Sequence, residues 1–257
     1  MEIVRSDANG VCTITLNRPS VYNSFNQTMA FQLQAILDAC AIDDDVRVIV
    51  ITGEGKAFSA GQDLAEATDN EGPTLKTIVR DHYNPIILKI REIEKPVIAA
   101  VNGVAAGAGA NIALACDITF AKKSASFIQA FSKIGLIPDS GGTFFLPRLI
   151  GMQKALALMM TGDKVSAEEA EKLNMIYKVL EDDDFSAEIT RFSEHLATMP
   201  TKGLGLTKKA VNLGLFNSLE DQLELEEKLQ TQAGETDDFA EGVNAFLQKR
   251  TPQFKGK

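Results

Sequence analysis

The sequence predicts an α/β fold with a parallel sheet, followed by a helical C-terminal segment. Three observations carry this. Val46-Arg47-Val48-Ile49-Val50-Ile51-Thr52-Gly53 and Pro96-Val97-Ile98-Ala99-Ala100-Val101-Asn102-Gly103 are almost wholly apolar, the pattern of strands buried on both faces of a parallel sheet. A strand, loop and helix recur at Val46 to Gly53, Val97 to Gly103 and Asp117 to Phe120, which argues for stacked α/β layers. From Gly151 onward the apolar spacing is almost entirely helical.

The elements follow in order. Glu2 to Arg5 and the alternating Val11 to Leu16 read as strands joined by an Asn9-Gly10 turn. Pro19 ends the second strand, since proline cannot donate to a ladder. Phe25 to Ala41 reads as a helix with Asn26 as N-cap and Met29, Leu33, Ile36, Leu37 and Cys40 on one face. After the first buried strand, Glu54 to Asp69 reads as a loop, and Thr74 to Ile93 as a helix interrupted near Pro85. Gly107 opens a helix to Ala115, and Cys116 to Ala121 is a third strand. Beyond Gly151 the spacing predicts helices at Gly151 to Met160, Ser166 to Leu173, Asp184 to Met199, Gly203 to Leu213, Leu219 to Gln232 and Thr236 to Lys249. Ser166 and Glu169 form a capping-box pair, and only Ile176 to Leu180 reads there as a strand. No linker composition intervenes. The expected organisation is an α/β core over residues 1–195 carrying a helical layer over 196–257.

With 257 residues, 45% apolar and 24% charged, the chain has a globular composition. No run of about 18 apolar residues suggests a membrane span, and Met1 to Asp7 lacks the basic start and apolar stretch of a secretory signal. Cys12, Cys40 and Cys116 suit neither a disulfide framework nor a CxxC metal pair, so a cytoplasmic setting is expected. The net charge of −9 disfavours nucleic-acid binding. Two histidines, His82 and His195, offer little to a His-based metal site or a Ser-His-Asp arrangement. His195 reads as a surface residue of an amphipathic helix. No metal is expected.

Three stretches can carry chemistry. Lys56-Ala57-Phe58-Ser59-Ala60-Gly61-Gln62-Asp63-Leu64 and Asn102-Gly103-Val104-Ala105-Ala106-Gly107-Ala108-Gly109-Ala110 each follow a buried strand, and ligands of parallel α/β folds collect at the carboxyl ends of strands. Small residues let a ligand approach the backbone. Two such loops can aim two N–H groups at one oxygen, or they are simply close-packed turns. The spacing is not that of a dinucleotide fingerprint. In the third stretch, Phe127 to Thr143, Asp139 lies between Leu136-Ile137-Pro138 and a glycine pair. It reads either as a cap of a helix beginning near Ser140 or as a base whose pKa is raised by apolar surroundings.

Together these stretches resemble the crotonase (enoyl-CoA hydratase/isomerase) superfamily. Leu16-Asn17-Arg18-Pro19, Asn23-Ser24-Phe25, Gly61-Gln62-Asp63-Leu64, Cys116-Asp117-Ile118, Thr161-Gly162-Asp163 and Glu241-Gly242-Val243-Asn244-Ala245-Phe246 support it in the expected order over nearly the whole chain. The resemblance implies a spiral of ββα units, an acyl-CoA thioester substrate with no other cofactor, and a helical C-terminal region that packs trimers or hexamers. It places the backbone amides of Gln62 and Ala108 on the thioester oxygen and Asp139 as the catalytic base. Ala60, Gly61, Asp63, Leu64, Gly107 and Gly109 would line the acyl site, with Asn111 orienting substrate. Phe131, Ile134 and Leu136 would form an apolar wall, and His82 and Tyr83 would reach the acyl end. Arg18, Ser24, Lys56, Phe58, Lys255 and Lys257 would contact the CoA moiety, the cations reading equally as solvated surface charge.

Departures from the pattern narrow the reaction. Hydratases of the superfamily carry glutamates where this chain has Asn111 and Phe131, and adding water needs one group to activate it and one to supply a proton. A single base suffices to move a double bond. Val104 to Ala110, Ala130 to Lys133, Leu136 to Asp139, Tyr83-Asn84-Pro85 and the ending Arg250 to Lys257 are similar to the superfamily's isomerases of ring-epoxidised phenylacetyl-CoA, which form an oxepin-CoA and are also associated with shifting a β,γ double bond into conjugation. The alternatives are an enoyl-CoA or dienoyl-CoA isomerase of fatty-acid oxidation, and a non-catalytic CoA-binding scaffold.

Overall fold

Asn9 and Gly10, both at positive φ (51° and 78°), turn the chain between β1 (Ile3–Ala8) and β2 (Val11–Leu16) in the computed structural model, which describes residues 1–257. In α1 (Gln27–Ile42) the Asn26 side chain accepts from the Met29 amide at 2.9 Å, the expected cap. Phe25 itself is not helical; it bonds instead to the Gly61 loop. Then come β3 (Val48–Gly53), β4 (Ala57–Ser59) and α2 (Leu64–Ala67), so the stretch read as loop holds a strand and a short helix. α3 (Leu75–Thr77), a π-helical stretch Ile78–Tyr83 and α4 (Asn84–Glu92) form one helical run. Its interruption is the wide turn in which the Asn84 amide donates to Val79, just ahead of Pro85.

β5 (Val97–Val101), β6 (Val104–Ala106), α5 (Ala108–Ala115), β7 (Ile118–Lys122) and β8 (Ser126–Ile128) follow. After a 3-10 turn at Ala130–Ile134 come α6 (Gly142–Ile150), α7 (Met152–Thr161), β9 (Lys164–Ser166), α8 (Ala167–Lys172) and β10 (Lys178–Leu180). β9 is therefore a second strand beyond Gly151, where one was expected. α9 (Phe185–Ala197), α10 (Thr201–Gly214), α11 (Leu219–Gly234) and α12 (Asp237–Gln248) complete the chain.

The strands form two sheets. The larger has order β1-β2-β3-β5-β7-β10, parallel except for the β1–β2 hairpin. The smaller has order β4-β6-β8-β9, parallel except for β9. Each of the pairs β3/β4, β5/β6 and β7/β8 gives its first strand to the large sheet and its second to the small one. This is the ββα spiral. Ile49, Ile51, Val97, Ala99 and Val101 face the main core beneath α1, α4 and α5. Their neighbours Val48, Val50, Ile98 and Ala100 face a second cluster under Phe185, Ile189 and Ala197 of α9. Burial on both faces explains the unbroken apolar runs. His195 is exposed on α9, as expected. No helix is long and apolar enough to cross a membrane.

Candidate active site

The two glycine-rich loops meet beyond the carboxyl ends of β4 and β6. Gly61 has φ +90°, and a Cβ on it would stand 2.9 Å from the Ala106 carbonyl oxygen and 3.2 Å from the Ala108 nitrogen. Only a residue without a side chain permits that approach. Phe25 grips the loop from both sides: its N–H donates to the Gly61 carbonyl (2.7 Å) and its carbonyl accepts from the Asp63 amide (2.8 Å). The intervening Gln62 amide bonds to no backbone carbonyl. Ala108 is the first residue of α5, where an N–H has no acceptor within the helix and lies at the positive end of its dipole. Two backbone donors on adjoining loops are thus left without a backbone acceptor.

Buried Asn23 explains why Asn23-Ser24-Phe25 accompanies this loop. Its Nδ2 donates to the Glu54 and Ala57 carbonyls (2.9 and 2.8 Å). Its carbonyl accepts from Ser59 Oγ (2.8 Å), which in turn accepts from the Gly61 amide (3.2 Å). No periodicity signals this role; only the motif's recurrence beside Gly61-Gln62 pointed at it.

Asp139 stands over the first turn of α5. Its carbonyl accepts from Asn111 Nδ2 (2.8 Å) and from the Gly142 amide (2.8 Å), and its Oδ1 accepts from Ser140 Oγ (2.9 Å). Burial raises its carboxyl above the ordinary carboxylate range, with the Ser140 hydroxyl partly opposing. It is not a helix cap, because α6 is preceded by Gly141 and no side chain caps it. Asn111 is fully buried, and its Oδ1 accepts from Gln129 Nε2 (2.8 Å). Both ends of its amide are spent within the protein, so it holds the Asp139 backbone instead of reaching for substrate. Phe131 is buried over Gly107, its ring 3.8 Å from where a Gly107 Cβ would stand. Gly109 packs on Ser59, where a Cβ would come within 2.5 Å of the carbonyl oxygen.

Tyr83 is fully buried, and its hydroxyl donates to Gln62 Oε1 at 2.9 Å. Burial holds its phenol well above the usual range, and the nearby negative charge of Asp139 adds to this. The π-helical stretch, the Gln62 loop and the Asp139 wall therefore converge on one region. Glu66, which the sequence reading passed over, joins them by accepting from Gln62 Nε2 (3.1 Å).

Other expected contacts lie elsewhere. His82 is buried edge-on against Phe31 of α1, with burial lowering its pKa and the Glu66 charge partly opposing. Ile134 and Leu136 are 55% and 38% exposed, so they do not close a wall within one chain. Ala60 and Leu64 are exposed beside the loop. Asp63 is a structural residue: Oδ1 caps α2 through the Ala65 amide, and Oδ2 pairs with Arg18 at 2.8 Å. Arg18 also donates to the Ser24 carbonyl, so its charge is engaged within the protein, and Ser24 is itself buried. Phe58 is fully buried in the core. Lys257 pairs with Asp44 at 2.9 Å, and the Lys255 amide is held by Asp238. That tail packs against Arg47 and Thr201 at the amino end of β3, across the sheet from the site of its own chain. Lys56 stands exposed in the turn between β3 and β4.

Comparison with known proteins gives a consistent result. Residues 6–257 match the family model described as enoyl-CoA hydratase/isomerase. The chain is 48% identical over 261 residues to the 1,2-epoxyphenylacetyl-CoA isomerase of Escherichia coli, covering 100% of both. It is 37% identical over 259 residues to the trans-2-decenoyl-[acyl-carrier-protein] isomerase of Streptococcus mutans, covering 100% of this chain and 98% of that protein. The solved enoyl-CoA hydratase of Bacillus anthracis superposes with a TM-score of 0.93 at 34% identity, with 100% of both chains covered.

Proposed function

The chain belongs to the enoyl-CoA hydratase/isomerase family, and from that premise we propose that it isomerises an acyl-CoA, with ring-epoxidised phenylacetyl-CoA as its substrate. One observation carries the reading. Asp139 is a desolvated carboxylate whose own backbone carbonyl is held by Asn111 of α5, the helix that begins at Ala108, and the neighbouring Asn111 and Phe131 offer no second acid or base.

The steps follow from that geometry. The thioester oxygen sits between the Gln62 and Ala108 amides. Asp139 takes a proton from the carbon between the thioester and the ring. The electron pair moves into the enolate, whose oxygen bears the charge that the two amides stabilise, each donor worth about 2.7–4 kcal/mol of barrier. As the epoxide ring expands to the oxepin, the double bonds shift, and Asp139 returns the proton to a ring carbon. Reactant and product contain the same atoms, and no external electron carrier is required. The same base and donors would move a β,γ double bond into conjugation.

The apolar surface left by the C-terminal helices supports a further part of the reading, assembly as a homotrimer or a hexamer built from two trimers. Phe216, Leu219, Phe246 and Leu247 are each at least 70% exposed in the single chain, and packing them between copies would remove that apolar surface from water. Light scattering tests this; a monodisperse monomer refutes it.

The test of function is turnover of the ring epoxide and of a β,γ-enoyl-CoA, followed by absorbance of the product, beside Asp139→Asn and Asp139→Ala. Loss of a general base lowers turnover by roughly 10²–10⁴-fold. Wild-type binding without turnover, or full activity of both variants, overturns the proposal.

A further inference from the structure

The reaction as drawn leaves the Gln62 side chain without a task, yet the protein holds it from two sides. Nε2 donates to Glu66 Oε2 (3.1 Å), and Oε1 accepts from the Tyr83 hydroxyl (2.9 Å). A carboxylate can only accept here and the phenol has one proton to donate, so the two partners dictate which way the amide faces. Both are anchored in turn. Glu66 Oε1 accepts from the Gln27 amide at the start of α1 (2.9 Å). The Tyr83 ring stands edge-on to Phe25, with centroids 5.8 Å apart. Phe25 is the residue that grips the Gly61 and Asp63 peptides.

The arrangement answers a mechanical problem. An oxyanion donor is effective when its direction is set before charge develops, with the donor 2.7–3.1 Å from the oxygen. The Gln62 N–H belongs to the peptide after Gly61, a residue with wide backbone freedom. The Phe25 bond to the carbonyl sets the mean direction of this planar peptide, but a single hydrogen bond lets the whole plane rock about it, and Gly61 sets no limit of its own. We propose that Tyr83 and Glu66 are positioning residues that fix the direction of the Gln62 amide by clamping the Gln62 side chain between them. This rests on the isomerase reading, in which that amide receives the thioester oxygen. Burial keeps the Tyr83 phenol protonated, so it remains a donor throughout the range in which Asp139 ionises.

The rival role for Tyr83 is direct contact with substrate, as an acid or a wall. A cycle with Gln62→Ala separates the two, since that variant keeps the backbone N–H and removes the clamped side chain. Tyr83→Phe and Glu66→Gln are each expected to lower kcat by roughly 10-fold, short of the roughly 10²–10³-fold for a donor lost outright, with KM within about twofold. In the Gln62→Ala background, adding either substitution is expected to change kcat by less than about twofold, because the path is already cut. A readout besides turnover is the absorbance of bound cinnamoyl-CoA, whose conjugated thioester shifts to the red when its carbonyl is polarised by hydrogen bonds. Tyr83→Phe should reduce that shift with little change in Kd. The proposal falls if Tyr83→Phe keeps wild-type kcat and shift, or if its loss of kcat persists in full on Gln62→Ala. Should wild type turn over neither thioester, the isomerase reading fails, and the clamp is decided by the cinnamoyl-CoA shift alone: retained in Tyr83→Phe it is wrong, diminished it stands.

Discussion

Replacing Gly61 with alanine perturbs the site at its tightest point. Gly61 holds φ +90°, and its missing Cβ would fall 2.9 Å from the Ala106 oxygen and 3.2 Å from the Ala108 nitrogen. A backbone position of this kind costs an L-residue roughly 1–3 kcal/mol. The methyl meets backbone, not the end of a flexible side chain, so the two loops must separate; overpacking of this sort adds about 1–3 kcal/mol. The expected loss of stability is therefore roughly 2–6 kcal/mol, a large part of the roughly 5–15 kcal/mol typical of a folded domain. Gly151→Ala is the matched control, because it shares a positive φ (80°) and has nothing within 4 Å of its Cβ. It should show only the conformational part. Denaturant unfolding of both variants gives the energies, and turnover per folded molecule gives the function. Gly61→Ala should lose about 10²–10³-fold in kcat, as for one misplaced donor, while Gly151→Ala keeps its activity. Equal destabilisation of the two variants, or Gly61→Ala turning over within about threefold of wild type, would refute the reasoning.

Four further outcomes follow. Asp139 must be ionised to act, and burial raises its pKa, so kcat/KM should fall with decreasing pH through a value above the ordinary carboxylate range; an acid limb at or below that range contradicts it. Because the folded chain holds that proton more tightly than the unfolded chain, the ionised group opposes folding above both pKa values. Asp139→Asn should accordingly be more stable than wild type near neutral pH, with the difference fading as pH falls into the carboxylate range, as read from urea titrations at several pH values. Asn111→Ala leaves the buried Gln129 amide without its partner and frees the Asp139 carbonyl; it should cost about 1–3 kcal/mol and lower kcat, whereas unchanged kcat would show that Asn111 does not position the base. Lys208, only 8% exposed, pairs with Asp117 at 2.8 Å and donates to the Ile90 carbonyl, so Lys208→Met should destabilise. Arg91 still bonds to Asp117, which keeps the cost below the roughly 3–5 kcal/mol of a fully orphaned buried charge, and kcat per folded molecule should not change.

The long elements were legible in the sequence because their signals are local. Asn26 before a helical face and the unbroken apolar runs of β3 and β5 each declare themselves within a few residues. The short strands β4, β6, β8 and β9 have three residues each, too few for a period of two to show. β4, β6 and β8 exist because the chain turns sharply out of the large sheet: at Gly103 a Cβ would lie 2.1 Å from the Lys56 carbonyl oxygen. Long-range polar pairing was hidden for a different reason. Arg18 and Asp63 are 45 residues apart, and Gln27 and Glu66 are 39 apart. The sequence identifies Arg18 as a cation, but only the fold reveals that its charge is already engaged. The C-terminal lysines failed as CoA contacts within one chain because the tail docks at the amino end of β3, beside Asp44 and Arg47.

What separates isomerisation from hydration on this scaffold cannot be the scaffold, since a solved enoyl-CoA hydratase superposes on the whole chain. It must lie in side chains that meet the reacting carbon atoms. Hydration needs two proton-transfer groups, and isomerisation needs one that can both take and return a proton. The two positions where a hydratase would carry its pair are filled here in ways that resist a simple exchange. At Asn111 both amide ends are occupied, and Gly142 packs so closely that its Cβ would lie 2.3 Å from Nδ2. A longer carboxylate there would displace the start of α6 and with it the Asp139 carbonyl. At Phe131 a glutamate would uncover Gly107 and admit solvent beside the Ala108 amide. Placing a carboxylate at either position would thus disturb the donor or base proposed above. Asn111→Glu should lose isomerase activity before it gains hydratase activity.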